Sequence, residues 1–424
     1  MSSPSVKKLP FARKPMDGSV QLPGSKSITH RALIAASLAA GDSRLSGPLF
    51  CEDTIRTLDG LSRMGAKFGF EGETLVVSGR AGCLKPAEEC LDLGLSGTSL
   101  RFLLSIAGLA NGKSRITGRK TLLSRPLEPL VSALRSLGCG VTWIGEQDEL
   151  EVEGGNFNGG EVELPGEISS QFISSLLLAG PFSRNGVTVR LTSKPVSKPY
   201  IDLTMKVMDD FGVETLESEK GFHVDGGQVY KPRDYLVEKD LSTAGYFLSA
   251  AALTRGRVSL EGVNFETKQG DVRFFDILQK MGCLVEAGKT GVTLVGRPLK
   301  AISLDMSDIP DLVPTLAILA LFADGETVIS GVSHLRHKES NRLEGLDQEL
   351  RKIRAKVSVS YDGLVIQGGK NLLPAQLDPR HDHRLAMSFA TLGLMVQGMR
   401  ISDPECVNKS FPNFWNVWES IWPE

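Results

Sequence analysis

Six short stretches carry residues able to hold anions or move protons, each at what reads as the start of a helix. "GSKSITHRAL" offers Lys26, Ser27 and Arg31, and "LSGTSLRF" offers Gly97, Thr98 and Arg101, with Arg125 soon after in "LLSRPLEP". "EISSQF" brings Ser169, Ser170 and Gln171, followed by Ser197 and Tyr200 in "PVSKPYID". "DLSTAGY" is less basic. Asp311 lies in "SDIPDLVP", with Lys338, Glu339 and Arg342 in "LRHKESNRLEG"; "HDHRLAM" holds His383 and Arg384, and "VNKSFPNFW" holds Lys409. A helix start has free N–H groups and the positive end of the dipole, so a Lys or Arg beside it makes an anion site. Taken together, at least seven cations and several hydroxyls suit two anionic ligands. Asp311 and Glu339 are the carboxylates best placed for proton transfer. Any one stretch alone fits a capped helix with solvated cations; their joint placement carries the reading.

Several other chemistries fit poorly. "GSKS" lacks the Gly directly before Lys that a Walker loop needs, because Ser25 intervenes. His381 and His383 have no further His or Cys nearby to complete a metal set. A net charge of −2 over 424 residues leaves no basic surplus for nucleic acid, so the cations must be a local cluster on a nearly neutral body. Six scattered cysteines without a CxxC pair suggest reduced thiols and a cytoplasmic setting. The basic opening "MSSPSVKKLPFARK" has no apolar stretch behind it, and no apolar run reaches bilayer-spanning length.

The elements that must position these residues form a repeat. The helix starts recur about every 70 residues, and each opens a helix rich in Ala and Leu, as in "EISSQFISSLLLAG" and "DIPDLVPTLAILAL". Helices apolar nearly all round belong inside a domain. A second, amphipathic helix usually ends in Gly ("TIRTLDGLSRMG", "LEPLVSALRSLG", "IDLTMKVMDDFG", "RFFDILQKMG"), which is a C-cap signal. Strand-like stretches such as "CGVTWI", "GVTVRL" and "KVSVSY" follow. Each copy reads as βαβαββ, six copies fill the chain, and equivalent helix starts could then converge on one place.

The motifs "LPGSKSITHRAL", "SGTSLRF", "SRPLEPLVSALRSLG", "SSQFISSLLLA", "VSKPYIDLT", "DIPDLVPTLAILALFADGET", "KESNRLEGLDQELRKI", "DHRLAMSFA" and "NKSFPNFW", from about Gly18 to Phe414, closely resemble the EPSP synthase family of the shikimate pathway. The resemblance implies an α/β fold of two similar domains, each of three βαβαββ repeats, with the active site in the interdomain cleft. It places residues 1–21 plus 239–424 in the first domain and 22–238 in the second. It further implies that shikimate 3-phosphate binds first and that the domains close on phosphoenolpyruvate. Lys26, Ser27, Arg31, Ser169, Ser170, Gln171, Ser197, Asp311 and Lys338 match the family's shikimate 3-phosphate contacts. Lys26, Gly97, Arg125, Gln171, Arg342, Arg384 and Lys409 match its phosphoenolpyruvate contacts. In the implied addition–elimination, Asp311 takes the hydroxyl proton, Glu339 protonates C3 with Lys26 near, and phosphate leaves a tetrahedral intermediate. The family needs no metal or organic cofactor. The expectation is a cytoplasmic monomer with no nucleic-acid or membrane partner.

Three positions depart from the family's common pattern: Leu95 replaces an Asn, and His334 and Asn341 replace Asn and Asp. A sibling enolpyruvyl transferase acting on UDP-N-acetylglucosamine typically has Lys-Asn at Lys26-Ser27 and a reactive Cys in a loop before Arg-Pro. "NGKSRITGRKTLLSRP" contains no Cys. A non-catalytic anion-binding domain would make Asp311 and Glu339 dispensable. The herbicide glyphosate occupies the family's phosphoenolpyruvate subsite, where Gly at the position of Gly97 goes with sensitivity.

Overall fold

A computed structural model describes residues 5–146, 148–288, 291–369 and 371–421, leaving residues 1–4 of the basic opening segment outside the described residues. The chain divides into two compact units, residues 1–23 with 239–424, and residues 24–238. The first-helix starts fall at Lys26, Gly97, Ser170, Leu241, Val313 and His383, so the period of about 70 is a structural one. The fold is α/β throughout.

The complete copies show one sheet pattern. In the second copy, Leu91–Asp92 pairs in parallel with Gly112–Thr117, which runs antiparallel to Glu149–Gly154, itself antiparallel to Gly140–Ile144. Four other four-stranded sheets repeat that order. "GVTVRL" corresponds to Val187–Leu191, which follows the buried helix of its copy, not the amphipathic one. In unit 24–238 the helices Lys26–Leu38, Gly97–Ala107 and Ser170–Ala179 are buried almost end to end. Their Leu, Ile, Phe and Ala side chains join the sheets in one apolar core. Helices Leu241–Thr254, Val313–Ala320 and His383–Gly393 do the same in the other unit. Apolar side chains around the whole circumference leave such helices no solvent face.

The amphipathic helices stop where glycine allows a left-handed turn. Gly65, Gly138, Gly212 and Gly282 all have positive φ, between 80° and 111°, just past the helix ends. The fifth copy puts Arg354 there instead, at φ 64°.

Two features depart from six equal copies. The sixth sheet has three strands: Gln376–Leu377 parallel to Arg400–Ser402, and Val6–Lys8 from the chain start antiparallel to the latter. A helical turn, Pro404–Lys409, and the helix Phe414–Ser420 stand where the other copies have their amphipathic helix and hairpin. The first strands are also exchanged. Asp17–Val20 precedes the first buried helix in sequence yet pairs with Arg257–Glu261 of the fourth copy. The first copy is completed by Asp234–Leu236, which pairs with Asp42–Ser46.

Candidate active site

In unit 24–238, chemistry gathers at the N-terminal ends of the three buried helices. Ser25 caps the first, and the Lys26 ammonium lies 2.9 Å from Asp53 Oδ2, whose own residue is buried. Arg31 is buried one turn further on. Its Nε donates to Thr204 Oγ1 (2.7 Å), Nη1 to the Ser27 carbonyl (2.8 Å) and Nη2 to the Tyr200 carbonyl (3.0 Å). Burial pushes the guanidinium down to about 10, against the opposing pull of Tyr200 and Tyr235. Thr204 in turn donates to Ser174 (2.8 Å), tying the first helix to the third.

The second helix begins at Gly97 behind the cap Ser96. A Cβ on Gly97 would lie 2.9 Å from Arg101 Nη1 and 3.1 Å from Arg125 Nη1, so glycine here leaves room for two guanidinium groups. Arg101 Nη1 donates to Gln171 Oε1 (2.6 Å), and Gln171 Nε2 donates to Thr98 Oγ1 (3.0 Å). Ser169 caps the third helix by accepting from the Gln171 amide (3.3 Å), with Ser170 buried beside it. Ser197 sits at φ 55° before the helix Lys198–Asp210, and its buried hydroxyl has no partner among the described residues.

The other unit holds its own cluster, again at helix starts. Arg342, buried at the first turn of Arg342–Lys352, grips three carboxylates: Asp311 (Nη1–Oδ1, 2.8 Å), Glu339 (Nη2–Oε2, 2.8 Å) and Asp382 (Nε–Oδ2, 2.8 Å). Arg384 Nη2 reaches the second oxygen of Asp311 (3.1 Å) and Nη1 reaches the Tyr246 hydroxyl (3.3 Å). Lys409 Nζ stands 4.0 Å from Glu339 Oε1 and is itself buried. The segment bearing Lys409 is held by aromatic packing: Phe414 stacks on Trp418, Trp418 meets Phe247, and Trp415 Nε1 donates to the Pro404 carbonyl (2.8 Å). Asp382 also caps the helix His383–Gly393 through the Arg384 amide (2.9 Å) and accepts from Ser340 Oγ (3.1 Å), so one carboxylate holds the Arg342 guanidinium and the helix start that carries Arg384.

Burial alone would raise the Asp311 carboxyl, but Arg384, Arg342 and Lys338 outweigh it and hold the group well below the usual carboxylate range. Asp311 is therefore ionised at any ordinary pH. Burial would weaken the charge of Arg342, yet Asp382, Glu339 and Asp311 push its guanidinium above its ordinary value. His334 is pushed down to about 3 by burial and by the charge of Lys338, so its imidazole is neutral. Neither ring nitrogen of His334 has a partner among the described residues. In this unit Lys338, Arg342, Arg384 and Lys409 stand among Asp311, Glu339 and Asp382, with Asp271 and Asp240 also within electrostatic reach; in the other, Lys26 pairs with Asp53 while Arg31 and Arg101 donate to uncharged groups and Arg125 stands beside Gly97. The cluster of unit 24–238 therefore gathers positive charge on a chain whose total is −2.

Of the residues singled out in the sequence, Lys26, Arg31, Arg101, Gln171, Asp311, Glu339, Arg342, Arg384 and Lys409 lie within these networks and Arg125 beside Gly97, whereas Ser27 contributes only its carbonyl and His381 is exposed and pairs with Asp403. Asp311 sits in a short helical turn, Pro310–Leu312, just ahead of the helix Val313–Ala320 instead of within it. Sequence reasoning missed Asp53, Tyr246, Thr204 and Asp382. The cap position directly before His383 was the available signal for Asp382, and "CEDT" at a helix start was the signal for Asp53. Asn341 caps Arg342–Lys352 by accepting from the Glu344 amide (3.2 Å), a job Asp would do equally well. Leu95, half-buried ahead of the Ser96 cap, brings no polar side chain. Among the described residues no group of three or more His, Cys, Asp or Glu could hold a metal, and no helix is long and apolar enough to cross a membrane.

Six parallel-then-antiparallel sheets wrapped on buried helices, with cations and carboxylates at the helix starts, define an enolpyruvyl transferase. The fold is shared with the enolpyruvyl transferase NikO from Streptomyces tendae (TM-score 0.79, 17% identity, 99% of this chain and 97% of that one). The sequence profile of EPSP synthase (3-phosphoshikimate 1-carboxyvinyltransferase) matches residues 11–418, and this chain belongs to that family. It is 43% identical to the 3-phosphoshikimate 1-carboxyvinyltransferase of Methanoculleus marisnigri over 407 residues, 95% of this chain and 96% of the relative. Against that of Methanocaldococcus jannaschii the figures are 40% over 411 residues, 96% of each. The EPSP synthase structure from Acinetobacter baumannii superposes with a TM-score of 0.83 at 29% identity, covering 98% of both chains.

Proposed function

We infer that this chain transfers the enolpyruvyl group of phosphoenolpyruvate to the 5-hydroxyl of shikimate 3-phosphate with release of phosphate, and that the two clusters act on the same ligand pair. The observation that carries the mechanism is Arg342 binding Asp311 and Glu339 at 2.8 Å each, with Arg384 on the far oxygen of Asp311. Two proton-transfer groups are thereby fixed beside cations able to take a carboxylate and a phosphate.

Lys26, Ser27, Arg31, Ser169, Ser170, Gln171, Ser197, Asp311 and Lys338 are read as the shikimate 3-phosphate contacts. Gly97, Arg125, Arg342, Arg384 and Lys409, with Lys26 and Gln171, are read as the phosphoenolpyruvate contacts. Without ligand, Asp311 is a weak base because three cations hold its charge. Anions arriving on those cations cancel that field and raise its affinity for the hydroxyl proton. Glu339, with Lys409 and Lys26 beside the reacting carbons, delivers the proton to C3 as charge grows on the carboxylate that the arginines hold. The working species is read as a cytoplasmic monomer.

Replacing Asp311 by Asn keeps size and one acceptor but removes the base. Turnover is expected to fall by roughly 10²–10⁴, with a much smaller change in the KM for shikimate 3-phosphate. Steady-state phosphate release decides it; near-normal kcat would remove Asp311 from the role.

A further inference from the structure

The far ends of the buried helices in unit 1–23 with 239–424 carry a second feature. A cavity of about 460 Å³ opens where Leu241–Thr254, Val313–Ala320 and His383–Gly393 finish, at the opposite helix ends from Asp311 and Arg384. Its apolar wall includes Leu253, Leu299, Phe322 and Leu394, and its charged lining is Arg13, Lys14, Arg255 and Arg297 with no carboxylate. Among the described residues none of these four cations has an ion-pair partner. The wall formed by residues 11–15 is fastened at both ends: the Ala12 amide donates to the Leu394 carbonyl (3.0 Å) and the Met16 amide to Thr254 Oγ1 (3.0 Å). Arg255 is carried on a left-handed residue (φ 55°) that closes the first of the three helices.

Cations near helix C-termini also offset the dipole there, but a dipole accounts only for charge. It does not account for an open volume, lined by apolar and polar surface together, of the size that holds small organic ligands. We propose that this cavity is a second ligand site, taking an organic anion whose ring- or chain-sized apolar body lies on Phe11, Phe322 and Met395 while its acid group meets Arg255 and Arg297. Neither the family's substrates nor the clusters above have a part in it.

The test is fluorescence titration of the full-length protein with anilinonaphthalene sulfonate, in the presence of saturating shikimate 3-phosphate and phosphoenolpyruvate. Binding should persist under those conditions, and the uncharged N-phenylnaphthylamine should bind about tenfold more weakly. The double variant Arg255→Gln with Arg297→Gln should weaken the sulfonate by about tenfold through charge alone. Ala12→Phe should weaken it comparably by filling the volume with every cation in place. Turnover should stay within twofold in both variants, because none of these residues lies at the catalytic clusters. Displacement by the substrates, equal affinity for the uncharged probe, or unchanged affinity in either variant would overturn the site.

Discussion

Arg342 spends its donors on Asp311, Glu339 and Asp382, so the residue most easily taken for a simple ligand contact also sets the charge state of the machinery around it. Residue types and spacing made Lys26, Arg125, Asp311, Glu339 and Arg384 legible as chemistry. Asp382 and Asp53 were not, because a capping or first-turn Asp looks the same whether or not it also holds a catalytic cation. Gly97 is the sharpest case at this scale. A methyl group there would meet the guanidinium atoms of Arg101 and Arg125 within about 3 Å, forcing both to move. Gly97→Ala should raise the KM for phosphoenolpyruvate by roughly tenfold and weaken glyphosate competition further, read from inhibition kinetics of the two proteins. Equal inhibition of both would show that the turn tolerates the methyl. Asp271 gives the pH prediction. It is buried, accepts from Ser242 Oγ (2.5 Å), and burial pushes its carboxyl up to about 7. A folded-state value above the unfolded one, about 3.9, means the fold holds the proton more tightly. That stability is complete below about pH 4 and is lost as pH rises through about 7. Asp271→Asn should therefore lose less stability than the wild type between about pH 5 and about pH 8, measured as urea midpoints.

At the scale of elements, the repeat was readable because two patterns recur together: an apolar helix after a polar start, and an amphipathic helix before a glycine. Gly65, Gly138, Gly212 and Gly282 take the left-handed conformation that the signal implies. What periodicity alone did not show was strand exchange, which only the resemblance's division of the chain near residues 21 and 239 implied. Asp17–Val20 lies just ahead of the first copy's helix, but it pairs with Arg257–Glu261, more than two hundred residues away. Periodicity locates a strand and says nothing about its partner, which is fixed by long-range packing. The incomplete sixth copy was hidden similarly, since Val6–Lys8 supplies a strand from the opposite end of the chain. Arg354 offers a test of the helix-end argument. It is exposed and holds φ 64° where four other copies have glycine. Arg354→Gly should stabilise the protein by about 0.5–1 kcal/mol in urea unfolding, with turnover unchanged. A neutral or destabilising result would show that the Arg354 side chain contributes more than its backbone costs.

For the whole molecule, each unit carries cations at its helix starts, and neither set alone contains both proton-transfer carboxylates and Lys26, Arg125 and Gln171. We infer that these residues serve one reaction on two specific anions. The most direct test is phosphate release from phosphoenolpyruvate by the purified protein, with shikimate 3-phosphate or UDP-N-acetylglucosamine as acceptor. Rapid release that depends on shikimate 3-phosphate is expected, with none above background for the nucleotide sugar. Release with UDP-N-acetylglucosamine, or none with shikimate 3-phosphate, would contradict that inference.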